Sequence, residues 1–152
     1  MSSRFTISLH RVATVGYVRS DVDRDAAANS PVGDHLDWFF EVTPHPGSLL
    51  TTFASPPACD GAPVIHAVRL VDHRVRYLDH DGELSGNRGC VQRLVTGRCH
   101  LVSDNESRFV FRPVSFEFLH AMSVESAEDN LDPIRERLRR VLAPLDEIEI
   151  RT

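Results

Sequence analysis

Two short stretches of the sequence hold residue types that could do chemistry. In His35-Leu36-Asp37 an imidazole and a carboxylate stand two residues apart. On a strand, residues at i and i+2 project from one face about 7 Å apart. The two groups could converge on a single metal ion or share a structural hydrogen bond. The second stretch, residues 72–89 (D-H-R-V-R-Y-L-D-H-D-G-E-L-S-G-N-R-G), gathers a histidine, a tyrosine, several acids and a Gly-rich turn bearing an arginine. His73, Val75 and Tyr77 alternate, so a strand would place imidazole and phenol on one face. Residues 79–82 and 85–89 read as turns. The glycines around Arg88 would let backbone N–H groups and a guanidinium converge on an anion. By itself this stretch also fits an ordinary strand and polar loop.

To meet, these groups must be carried on strands. Residues 4–10 (R-F-T-I-S-L-H) alternate, with Phe5, Ile7 and Leu9 on one face and Thr6, Ser8 and His10 on the other, the pattern of a half-buried strand. His10 ends it on the polar face. Residues 11–34 lose the alternation and predict a long mobile loop, with a short helical turn at 25–28. Loops of this length often border a site. Residues 35–42 predict a second strand, with Leu36, Trp38, Phe40 and Val42 opposite His35, Asp37, Phe39 and Glu41. Further strands are expected at 48–54, 64–71 and 73–78. A hairpin is expected at 90–102, turning at Thr96-Gly97, and another at 108–120, interrupted by Pro113. Regular short strands of this kind predict a mainly β fold, a small closed or crescent β-barrel with a C-terminal α-helix. Asn130 or Asp132 would cap that helix, with Pro133 in its first turn. Ile134, Leu138, Val141, Leu142 and Leu145 keep helical spacing, and Arg135, Arg137, Arg139 and Arg140 fall mostly off that stripe. Residues 1–152 read as one domain, with the barrel over 4–120 and the helix and an acidic tail over 121–152.

The totals exclude several classes. With 152 residues, 41% hydrophobic and 26% charged, the chain suits one soluble globular domain. No apolar run approaches the roughly 20 residues of a membrane helix, and no signal peptide is evident, so no membrane partner and a cytoplasmic location are expected. The three cysteines show no C-x-x-C spacing, which argues against a disulfide framework or a zinc ribbon. All 17 basic residues are arginine, and arginine's forked guanidinium suits phosphate. The net charge of −5 argues against a broad nucleic-acid footprint, but residues 117–152 alone carry −4 of it. Residues 85–112 hold five arginines against Asp104 and Glu106, which leaves room for a local basic face.

Taken in order, the pieces resemble the 3'-phosphoesterase domain of bacterial DNA ligase D, and more closely its short stand-alone relatives. A histidine ends the first strand. H-x-D-aromatic follows on the second, then a Leu-rich strand running into prolines, then D-H-x-x-x-Y-L-D-x-x-G, and then a Gly-rich loop leading into a hairpin with a closing T-G. The likeness covers roughly residues 4–102. It implies a divalent metal, typically manganese (Mn2+), on the concave face of the barrel, with His10, His35 and Asp37 as ligands. It also implies that His73 contacts the scissile phosphate with Tyr77 beside it, and that the substrate is a DNA 3' end or primer-template carrying a 3'-phosphate or 3'-ribonucleotide. The sequence departs from the pattern at Phe39, where the family has a phosphate-binding arginine, and at Val71, where an acid usually precedes D-H. The basic N-terminal arm is reduced to Arg4. Arg88 is the first choice to replace the missing phosphate contact, with Arg76 or Arg11 as alternatives.

Three readings follow. The first is a metal-dependent phosphoesterase of DNA repair. The second is a catalytically weakened relative that binds DNA ends or a repair protein without turnover. The third is a β module joined to partners through its helix, with neither metal nor nucleic acid.

Overall fold

The computed structural model describes residues 2–12, 33–42, 47–57, 64–84, 88–120 and 131–152. Within them nine strands form one sheet. They are β1 (Ser3–Arg11), β2 (His35–Phe40), β3 (Leu49–Ser55), β4 (Val64–His66), β5 (Val68–Arg74), β6 (Gly82–Glu83), β7 (Cys90–Asp104), β8 (Arg108–Phe118) and β9 (Ile148–Arg151). A 3-10 turn, Val75–Leu78, follows β5, and the α-helix α1 (Asp132–Leu142) precedes β9. The strand order is β4-β9-β8-β7-β1-β2-β3-β5, with β6 attached to β7. All pairings are antiparallel except β4 with β9.

The fold is thus mainly β with a C-terminal helix. Of the two forms expected, the open crescent is the one observed, since no ladder joins β4 to β5 among the described residues. The two ends of the order are nevertheless separated in sequence only by Ala67. The sheet therefore curls until its edge strands are neighbours, held by covalent continuity rather than by hydrogen bonds.

One face of the sheet carries the main core. Phe5, Ile7 and Leu9 of β1, Leu36, Trp38 and Phe40 of β2, and Phe109 and Phe111 of β8 pack together. Leu138, Val141 and Leu142 of α1 and Ile148 and Ile150 of β9 close the same cluster. Arg135, expected off the buried stripe, is instead buried and donates from Nη2 to the Leu119 carbonyl. The cap position of α1 is Leu131, with no side-chain cap; Asn130 lies outside the described residues. The terminal residues are not simply an acidic tail, because Ile148-Glu149-Ile150 forms the strand that bridges β8 and β4.

The other differences from expectation have local causes. Thr96-Gly97 is no turn. β7 runs unbroken from Cys90 to Asp104, and Gly97 is there because its neighbours leave no room. A Cβ at Gly97 would lie 2.3 Å from the Ser115 carbonyl oxygen and 2.8 Å from a Phe5 ring carbon. Gly97→Ala is expected to lower stability by about 1–3 kcal/mol through overpacking, read as a lower denaturation midpoint at unchanged slope. Cys90 and Cys99 consequently lie on one strand about 30 Å apart, and both are free thiols. Pro113 likewise breaks nothing, since β8 continues through it opposite Cys99, where the register shifts and a missing ladder N–H is tolerated. The expected strand at 64–71 is two strands on opposite edges, β4 and β5. The loop expected at 11–34, with its short helix at 25–28, falls mostly outside the described residues.

On β9, Glu149 faces Arg108 and Arg151. The Arg108 hydrogen bond first, then Arg151, holds its carboxyl below the ordinary 4.5 despite partial desolvation. A carboxyl lowered on folding adds stability above its ordinary range and loses it as pH falls through the lowered value. Glu149→Gln should therefore flatten the fall in melting temperature below about pH 4.5, by a small amount because solvent screens the pair. Melting curves from neutral to acid pH check this.

Candidate metal centre

The candidate site lies on the face of β1 and β2 opposite the main core. The β1–β2 ladder sets His10 directly across from His35, and Ser8 across from Asp37. His10, His35 and Asp37 are each no more than 2% exposed. β2 is central in the sheet and covered on both faces, which is why an alternating sequence yields a fully buried strand. A carboxylate taken out of water between two imidazoles is unfavourable unless something compensates it.

The two histidines are oriented by backbone carbonyls. His10 donates its Nε2–H to the Arg88 carbonyl at 2.7 Å, and His35 donates its Nδ1–H to the Gly33 carbonyl at 2.7 Å. A carbonyl can only accept, so these nitrogens carry the protons. In the neutral rings His10 Nδ1 and His35 Nε2 are then lone-pair nitrogens. Both face Asp37, at 3.5 Å and 3.3 Å from its two carboxylate oxygens. Those separations are long for charge-assisted hydrogen bonds. They match the spacing of ligand atoms bound about 2.1 Å from one ion at near-tetrahedral angles. Locking a ligand imidazole through its second nitrogen is the usual outer support of a metal site. The buried group His10–His35–Asp37 could hold a metal ion. Two imidazoles and one carboxylate suit a transition ion better than magnesium or calcium, which prefer oxygen throughout.

His73 and Tyr77 are brought together by a different geometry from the one expected. β5 ends at Arg74, and Tyr77 lies in the 3-10 turn, so the two do not share a strand face. Their rings meet edge to face at 5.4 Å. Phe39, two residues beyond Asp37 on the same face of β2, touches both: it stacks on Tyr77 at 5.8 Å and meets His73 at 5.6 Å. Thr6 ties the 3-10 turn to β1 by donating from Oγ1 to the Leu78 carbonyl at 2.9 Å. His73 donates its Nδ1–H to the Val71 carbonyl at 2.7 Å. His73 and Tyr77 thus form a second station on this face, joined to the metal-ligand group through one buried ring.

The arginines are placed less simply. Arg88 meets the site through its backbone carbonyl on His10, a contact absent from the sequence reading. Gly89 makes that approach feasible: its φ is +89°, and a Cβ there would lie 1.8 Å from the Arg11 carbonyl oxygen. The rest of the expected Ser85–Gly89 turn is outside the described residues. Arg76 lies over the Tyr77 ring at 5.0 Å and donates to its hydroxyl at 3.3 Å. The expected local basic face over 85–112 is reduced, because Arg93 is paired with Asp81 and Arg108 with Glu149. A cleft of about 420 Å3 opens nearby, lined by Arg11, Asp81, Cys90, Gln92 and His120 among others. None of the five candidate metal-site and catalytic side chains lines it. Burial pushes the Cys99 thiol up to about 12, so it is no nucleophile.

Fold and site together define an open β-sheet protein with a buried two-histidine, one-aspartate group able to take a metal ion. No protein-family model and no curated protein matches the sequence. Among the described residues, no helix is long and apolar enough to cross a membrane.

Proposed function

We propose that the protein is a manganese-dependent phosphoesterase acting on DNA 3' ends, removing a 3'-phosphate or 3'-ribonucleotide in DNA repair. The observation that carries this reading is the pair of backbone-locked imidazoles facing the Asp37 carboxylate, with His73 and Tyr77 on the same side of the sheet. His10, His35 and Asp37 would hold the ion, which when bound supplies charge for a phosphoryl oxygen and lowers the pKa of water. In hydrolysis the water oxygen adds to phosphorus, the bond to the 3' oxygen breaks, and that oxygen takes a proton to become the 3'-hydroxyl. His73, whose Nδ1–H is held by the Val71 carbonyl, would do that work through Nε2 as the doubly protonated imidazolium, donating to the phosphate or giving the Nε2 proton to the leaving oxygen. Tyr77 orients it, and Arg76 is the guanidinium beside them.

The test is release of inorganic phosphate from a 3'-phosphorylated primer-template with manganese. Turnover that chelator or His35→Ala abolishes is the expected result. Turnover unchanged in His35→Ala would sink it.

Phe39 favours a second reading. A buried ring occupies the position of the family's phosphate-binding arginine, consistent with a relative that binds DNA ends or a repair protein without turnover. That reading expects salt-sensitive binding of 3'-phosphorylated DNA that survives chelation, with no product formed.

A further inference from the structure

On the site face of β1, Thr6, Ser8 and His10 follow one another. Thr6 donates to the Leu78 carbonyl and His10 to the Arg88 carbonyl. Ser8, between them, is 1% exposed, and its Oγ has no hydrogen-bond partner among the described residues. It lies directly across the ladder from Asp37, where paired side chains on one face begin about 5 Å apart. Between Ile7 and Ser8 the register against β7 shifts, and such irregularities re-aim side chains beside active sites. A buried hydroxyl without a partner is less favourable than the methyl of alanine in the same space. The hydroxyl is stabilised only if the site supplies something for it to bind.

We propose that Ser8 is a positioning residue of the metal centre, its hydroxyl hydrogen-bonding an oxygen held beside the ion. This rests on the metal reading of His10, His35 and Asp37. That oxygen comes either from water or from a phosphate, and the two sources are separable.

The experiment compares wild type, Ser8→Ala and Ser8→Thr by calorimetric titration with manganese alone, then with inorganic phosphate on the manganese-loaded protein. Melting curves with and without manganese accompany it. Ser8→Ala is expected to melt no lower than wild type without metal, because it removes an unpaired buried hydroxyl. Its manganese affinity is expected to fall about 10- to 100-fold, with a smaller manganese-induced rise in melting temperature. Ser8→Thr, which keeps the hydroxyl, should recover most of that affinity. A loss confined to the phosphate titration would also support the proposal and assign the oxygen to phosphate. Equal affinities of wild type and Ser8→Ala in both titrations would overturn it and leave the metal site standing. A wild type that binds no manganese would overturn both.

Discussion

Asp37→Ala is expected to bind no divalent transition ion and, on the proposed phosphoesterase reading, to release no phosphate from DNA 3' ends above background. Asp37 is the one anionic group among the three candidate ligands, and its two oxygens each face one of the fixed imidazole nitrogens. Removing it takes away the one carboxylate of the three ligand candidates, in a group no more than 2% exposed, where an uncompensated dication is costly. A ligand present at 100 times its dissociation constant stabilises a protein by about 2.7 kcal/mol. For a chain of this size that corresponds to a melting-temperature rise of roughly 5–10 °C. Wild type should show such a rise with manganese, and Asp37→Ala none. Losing several kcal/mol of transition-state stabilisation corresponds to on the order of 10³-fold in rate. A manganese-induced shift that persists in Asp37→Ala would mean that the ion binds elsewhere.

Phe39→Ala is expected to lower stability by about 3–5 kcal/mol while leaving the metal ligands in place. Phe39 is 1% exposed and packs with Leu50, Tyr77 and Leu78 in a small cluster on the site face. Its ring also sets the positions of His73 and Tyr77. The ladder hydrogen bonds that hold His35 and Asp37 do not depend on that ring. Manganese affinity should therefore stay close to that of wild type, whereas on the proposed phosphoesterase reading turnover should fall because His73 and Tyr77 lose their support. Phe39→Arg should destabilise as well, since a guanidinium at this depth would be stripped of water among leucines. The arginine of the ligase D pattern is thus not recoverable by one substitution. Denaturant unfolding alongside manganese titration checks both statements. A stability loss below about 1 kcal/mol for Phe39→Ala would show that the ring is not holding the cluster.

The parts of the fold legible in the sequence were those in which local pattern and tertiary environment agree. β1 and β2 alternate cleanly, and the face shared by His35 and Asp37 is the one the alternation assigns. The partnership with His10 was not in the pattern; it came from a resemblance, and only the β1–β2 register places the rings together. Gly97 is ambiguous in the sequence because glycine serves a turn and a close approach equally well, and only Phe5 and Ser115, distant in sequence, decide between them. Tyr77 departs from the strand its spacing suggests because a three-residue alternation cannot distinguish a continuing strand from a 3-10 turn. β9 was hidden because its two isoleucines sit among acids, and their burial depends on a parallel partner more than eighty residues earlier. The carbonyls of Gly33 and Arg88 had no signal at all, since backbone groups carry none.

Calorimetric titration of manganese into the wild-type protein, with His35→Ala alongside, tests the metal centre most directly. One ion bound per chain, with binding lost in His35→Ala, is the predicted result. No heat of binding from manganese, and none from iron(II), cobalt or zinc, would contradict it and leave His10, His35 and Asp37 as a purely structural cluster.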